Sequence, residues 1–465
     1  MVLARLLLTL CGMGTALAAA PTPTGDWQGI LALPQGQSLP LVLHLSSRAG
    51  APQGEWSATL DSPAQSAFGL PVQRTTLKGQ TLTLELPALF ARYVGTLSEQ
   101  GNVLAGTWSQ GSSSFPLRMT RATVMTMAPV RATPARPQTP HPPFPYRSED
   151  VAFDNPSGPS HLAGTLTVPE GKGPFPAVIL ITGSGLQDRD ETIAGHRPFL
   201  LWADTLTRRG IAVLRLDDRQ RGRSTGPVAQ ATTADFATDI EAALRFMRQR
   251  QDIDPKRIGL MGHSEGGVIA AMIAAHDRQI SFIVLLEAPA VPGRQTMLAQ
   301  RHWSAARQHV PETVSHQSDL LVETVLNAMT PQQSQKAAEQ AASAAWNRLN
   351  RTQSGLPDSL HGLTLPAIRF YDRYDPASVL SKVDCPVLAT MGSKDRQVPP
   401  ELNLPALKRA LAHNSQARII ELPDLNHLLQ KAGSGDPGEY ALIENDIDPS
   451  ALKAVTDWIE AHDHR

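Results

Sequence analysis

Cysteine is scarce in this sequence: two residues in 465, Cys11 and Cys385. Cys11 falls in a segment that reads as a leader, so the mature chain is expected to hold one thiol and no internal disulfide. Cys385, at the start of an apolar run, reads as a small buried hydrophobe rather than a reactive group. An excess charge of either sign is also missing. The formal net charge is −1, which points to no nucleic-acid and no anionic-membrane partner. Aromatic residues make up only 5%. No H-x-x-x-H or H-E-x-x-H spacing occurs, so no metal site and no cofactor are expected. Beyond the N-terminus there is no apolar run near the ~20 residues a membrane-spanning helix needs.

The N-terminus itself has Arg5, the apolar run Leu6 to Leu10, and a small-residue end, Ala16-Leu17-Ala18-Ala19-Ala20. This is the pattern of a secretory signal peptide over residues 1–20, cleaved after Ala18 or Ala20, and it implies a periplasmic or secreted protein. Gly12 and Gly14 interrupt the run and argue against a membrane anchor. Leu10 before Cys11 argues against a lipoprotein site.

Proline, by contrast, is plentiful. Seven prolines fall between Pro129 and Pro145, which marks a linker over 126–150. Before it, residues 21–125 alternate with period two, as in Leu39, Leu41, Leu43, Leu45 and in Leu82, Leu84, Leu86. This predicts an all-β domain with one buried face, a small barrel or sandwich. After the linker, continuous apolar runs (177–181, 211–216, 258–261, 282–286, 387–391, 417–422) alternate with helical patterns. That predicts a mostly parallel sheet flanked by helices. The core is split into 151–290 and 366–465. Residues 291–365 between them show no strand run. Val322, Val325 and Met329 recur at helical spacing, and Thr330 with Pro331 suggests the start of a helix running to Trp346. This is read as a helical cap over the site.

One short string carries most of the chemistry. Gly262-His263-Ser264-Glu265-Gly266-Gly267 lies between an apolar strand and a small-residue helix. G-x-S-x-G in that setting is a nucleophile elbow, whose glycines let a sharp turn hold the serine hydroxyl out. A serine needs a base, and the base needs a carboxylate, in the chain order Ser, Asp, His. Asp395 follows the strand at 387–391 through a glycine turn. His427 follows the strand at 417–422. Asp384 precedes its strand and Asp424 is too near His427, so both are weaker choices. His263 reads as packing for the elbow. Two backbone N–H groups should hold the oxyanion: Glu265 after the nucleophile, and Ser184 in the loop Thr182-Gly183-Ser184-Gly185, with Gly183 or Gly185 as alternatives. The charged run Asp188-Arg189-Asp190-Glu191, and Asp217-Asp218-Arg219, either bind a polar substrate group or form an ion network.

The strings T-G-S-G-x-Q-D-R-D-E (182–191), L-R-L-D-D-R (214–219), G-H-S-E-G-G (262–267), G-S-K-D-R-Q-V-P (392–399) and L-N-H-L-L-Q (425–430) are similar to those of bacterial α/β-hydrolases. The group is that of serine carboxylesterases and aminopeptidase-like enzymes. Glu439-Tyr440 fits the same pattern, and Gly106-Thr107-Trp108 resembles the N-terminal domain of some exported members. The resemblance implies an α/β-hydrolase fold, a Ser264–Asp395–His427 triad and hydrolysis of short-chain acyl esters. Two residues depart from it. Thr182 stands where many relatives have His, and Gln220 stands where Gly follows Asp-Arg, which puts that loop's geometry in question. The competing readings are a peptidase or amidase that grips a free amino terminus with Asp190 and Glu191, and a surface- or carbohydrate-binding protein with a vestigial hydrolase part.

Overall fold

The computed structural model describes residues 22–32, 38–47, 56–62, 67–72, 74–86, 91–110, 113–121, 136–307, 310–351 and 353–462. The expected leader, 1–20, lies outside them. Among the described residues no helix is long and apolar enough to cross a membrane.

The N-terminal unit is one nine-stranded antiparallel sheet: β1 (Gly25–Ala32), β2 (Ser38–Ser47), β3 (Trp56–Ser62), β4 (Ala67–Val72), β5 (Arg74–Lys78), β6 (Thr81–Leu86), β7 (Ala91–Leu97), β8 (Val103–Gln110) and β9 (Ser113–Arg121). β1 pairs with both β2 and β9. β3 comes beside β5 and β4 beside β6, so the sheet curls back on itself. The period-two leucines all point inward. Leu41, Leu43, Leu82, Leu84 and Leu86 pack around Trp27, Tyr93 and Trp108, and that shared interior holds the sheet in register.

The second unit is an eight-stranded sheet: β10 (Tyr146–Asn155), β11 (Ser160–Pro169), β12 (Phe175–Ile181), β13 (Ala212–Leu216), β14 (Ile253–His263), β15 (Ile283–Leu286), β16 (Val387–Gly392) and β17 (Ala417–Leu422). Its order is β10-β11-β13-β12-β14-β15-β16-β17. β11 pairs antiparallel with both β10 and β13, and the other strands are parallel. β12 shows why its run is continuously apolar. Ala177, Ile179 and Ile181 enter one core and Val178 and Leu180 the other. The first core is covered by α2 (Thr233–Arg248), α3 (Glu265–Ala274), α8 (Pro376–Leu380) and α9 (Pro400–Ala410). The second is covered by α1 (Pro198–Thr207) and α10 (Pro449–Glu460).

Three boundaries differ from the sequence reading. The linker does not run to residue 150, because β10 begins at Tyr146. Residues 136–145 already lie on the hydrolase unit. Arg136 donates to the carbonyls of Ile443, Ala194 and Ala441, and Gln138 pairs with both backbone groups of Ile447. The cap, between β15 and β16, is made of α4 (Gly293–Arg307), α5 (Glu312–Asn327), α6 (Gln335–Asn350) and a 3₁₀ turn at Asp358–Thr364. It also takes in α7 (Pro366–Arg373), whose Ile368 packs on the cap's own core. α6 starts at Gln335 and is capped by the Ser334 side chain, not by Thr330. The carbonyls of Thr330, Pro331 and Gln333 turn instead toward the Arg369 guanidinium.

Candidate active site

β14 delivers the chain to Ser264, and α3 leaves from Glu265. At the turn Ser264 adopts φ 53° and ψ −117°, a region few non-glycine residues occupy. The glycines are needed for closeness rather than for rotation. A Cβ on Gly262 would lie 2.1 Å from the Gly266 carbonyl carbon, and one on Gly266 would lie 2.1 Å from the Ile181 oxygen. The turn is held by Ser264 N–H donating to Leu286 O at 2.8 Å.

Asp395 and His427 meet from the ends of β16 and β17. His427 Nδ1 lies 2.7 Å from Asp395 Oδ2, and both side chains are buried. The other carboxylate oxygen accepts the amides of Gln397 and Val398, each at 2.8 Å. With Nδ1 committed to the carboxylate, Nε2 is the nitrogen left to take a proton. The rivals stand elsewhere. Asp424 pairs with Lys394 and Asp384 with Arg278 at the surface.

His263 braces this arrangement. Its Nδ1 lies 2.9 Å from Glu191 Oε1 and its Nε2 lies 2.8 Å from the His427 carbonyl oxygen. Its ring centre is 4.7 Å from that of His427. Both ring nitrogens face oxygen atoms, a setting that favours the doubly protonated ring. Burial pulls its pKa down, but the Glu191 carboxylate, the His427 carbonyl and the Asp395 charge outweigh this and raise it.

Glu191 also accepts the Gly183 amide at 2.6 Å. That occupies one of the three oxyanion candidates in the loop after β12, leaving Ser184 and Gly185. Thr182, at the position of departure from the family string, donates through Oγ1 to Asp218, and so does the Gln187 amide. Burial raises Asp218 to about 7. Glu265 turns its carboxylate away to accept from Thr233 Oγ1 at 2.6 Å. Burial raises its pKa too.

The charged runs form an ion network. Arg189 grips Asp217 through Nε and Nη2. Asp190 is held between Arg197 and Arg215, and Arg219 pairs with Asp239. Gln220 takes the left-handed turn that a glycine would favour, with φ 64°.

Two groupings were not legible in the sequence. Glu287, the first residue after β15, is fully buried and accepts the Gly392 amide at 2.6 Å. In the cap, His302, His316 and Asp319 bring ligand atoms within 4.8 Å of one another. Spacing along the chain gave no hint of this, because the cluster spans two helices. Arg301 already neutralises Asp319 at 3.0 Å, and His302 holds its other oxygen.

A model of the serine aminopeptidase S33 family matches residues 199–431, from α1 through the His427 loop. The chain belongs to this family of serine hydrolases. Its second unit has the α/β-hydrolase fold, and the all-antiparallel β domain stands before it. The chain is 28% identical over 301 residues to esterase EstD of Thermotoga maritima, covering 64% of this chain and 65% of EstD. It therefore spans less than two thirds of that relative's length. It is 26% identical over 310 residues to an uncharacterized 31.7 kDa protein of Escherichia coli, covering 65% of this chain and 96% of the other. Among solved structures it is similar to an esterase of Pyrococcus furiosus, with 15% identity and a TM-score of 0.43, over 68% of this chain and 92% of that one.

Proposed function

We propose that this chain is an exported carboxylesterase acting on small, short-chain acyl esters through Ser264, His427 and Asp395. The observation that carries the reading is the buried Asp395–His427 pair beside the Ser264 elbow. In this mechanism His427 Nε2 takes the serine proton as Oγ attacks the ester carbonyl. Asp395 orients the ring and stabilises the imidazolium. The Ser184 and Glu265 amides hold the oxyanion. Collapse expels the alcohol, protonated by His427, and a water activated by the same ring releases the acid. Export rests on the leader pattern in residues 1–20.

An ester fits better than a peptide with a free amino terminus. The two acids that would grip an ammonium are taken, Asp190 by two arginines and Glu191 by His263 and the Gly183 amide.

Ser264→Ala should lower kcat on p-nitrophenyl butyrate by at least about 10³-fold. In the wild type, an aminoacyl-anilide should turn over far more slowly than the ester. Retention of most ester activity by the variant would overturn the nucleophile assignment, and a faster anilide would overturn the substrate class.

A further inference from the structure

Glu287 plays no part in the mechanism above, yet it sits against it. It leaves β15 at φ 51°, and its amide donates to Thr390 O at 3.2 Å. One carboxyl oxygen accepts the Gly392 amide at 2.6 Å, and the other meets Thr390 Oγ1 at 3.5 Å. Gly392 ties it to the triad acid, because the Gly392 carbonyl in turn accepts the Asp395 amide at 3.0 Å, which sets the two carboxyl groups beside each other. Both acids have no solvent exposure.

Two carboxyl groups in contact in a dry site cannot both be ionised, so one keeps a proton. The donor count decides which. Asp395 receives the Gln397 and Val398 amides and His427 Nδ1. Glu287 receives one amide and one hydroxyl at the limit of hydrogen-bond length. The charge belongs on Asp395 and the proton on Glu287. Burial and the Asp395 charge push Glu287 well above the usual carboxylate range.

We propose that Glu287 is a positioning residue: as a neutral carboxylic acid it donates the fourth hydrogen bond to Asp395 and fixes that carboxylate against His427. The proposal rests on the triad reading given under the proposed function. A neutral donor suits the place. A lysine or arginine there would cancel the charge that Asp395 must present to the imidazolium, whereas an O–H aligns the carboxylate and leaves its charge intact.

The test uses the full-length protein with Glu287→Gln, Glu287→Leu and Ser264→Ala, assayed on p-nitrophenyl butyrate. Glu287→Gln, whose amide can still donate, should stay within about threefold of wild-type kcat. Glu287→Leu should lose about 30-fold in kcat with KM held within about twofold, the range seen when an outer-shell partner is removed. Wild-type kcat in Glu287→Leu overturns the proposal, and so does a loss in Glu287→Gln as large as in Glu287→Leu. Infrared difference spectra of wild type against Glu287→Gln at neutral pH give an answer even if the leucine variant does not fold. The wild type should show the carbonyl stretch of a buried protonated carboxyl that the glutamine variant lacks, and no such band overturns the proposal. Turnover retained by Ser264→Ala would overturn the triad reading instead, which the infrared band does not depend on.

Discussion

Non-glycine residues with positive φ gather at the strand ends of the hydrolase unit: Glu191, Gln220, Ser264, Glu287, Asp424 and Leu429. Each costs local conformational energy, and at Glu191, Ser264 and Glu287 the turn places a group in or beside the site. Gln220 is the one with the least chemical duty. It keeps the turn through its amide on Ser224 O and its side-chain amide on Gly226 O, each at 3.1 Å. Glycine relieves the left-handed strain and keeps the backbone bond, and this outweighs the exposed side-chain contact it loses, so Gln220→Gly should raise stability by about 0.5 kcal/mol, seen as a higher urea midpoint at unchanged slope, with kcat unaltered. The residues proposed for acyl transfer were readable because each has a fixed place relative to an apolar strand: Ser264 at a glycine turn, Asp395 and His427 just past two later runs. Glu287 occupies an equivalent place past β15. Nothing in Leu285-Leu286-Glu287 says that its neighbour is a second buried acid, because that acid arrives from another strand. His263 reads as packing in the sequence. Its second role, linking Glu191 to the His427 carbonyl, exists only once three loops meet.

Among the elements, the parallel strands declared themselves because burial on both faces demands unbroken apolar runs. β10 did not. Its sequence, YRSEDVAFDN, belongs to an edge strand with half of its positions exposed, and it reads as the end of the linker. In the cap, periodicity found α5 and most of α6 but misplaced the start of α6. The misreading has a physical cause at Arg369, buried on α7, which donates to the carbonyls of Thr364, Thr330, Pro331 and Gln333. These groups would be orphaned without it. Arg369→Met should loosen the cap rather than the sheet. Thermolysin should cut between residues 328 and 365 about tenfold faster, a local opening made easier by about 1.4 kcal/mol. Ser264 should still label with a fluorophosphonate. Unchanged cleavage would mean the helices hold without the clamp.

At the scale of the whole molecule there are two units with separate cores, and residues 136–145, which precede β10, belong structurally to the second. The β domain's strands β7 and β8 come beside the 3₁₀ turn of the cap, so the two units also meet away from the linker. A fragment beginning at residue 132 should match the full protein's kcat. A fragment beginning at 151 lacks Arg136, Gln138 and half of β10, and should melt several degrees lower or aggregate; equal melting would show the docked segment to be dispensable. The grip of Arg136 has a further consequence for how the sequence can drift. Its acceptors at 194, 441 and 443 are peptide oxygens, which every amino acid supplies, so substitution at those three positions leaves the contact's chemistry untouched. The donor is a single guanidinium whose fork reaches several acceptors at once, which no other side chain reproduces. Selection to keep the segment docked therefore falls on the codons of Arg136 and of Gln138, which holds Ile447 beside it, more than on the side chains of the loops that receive them.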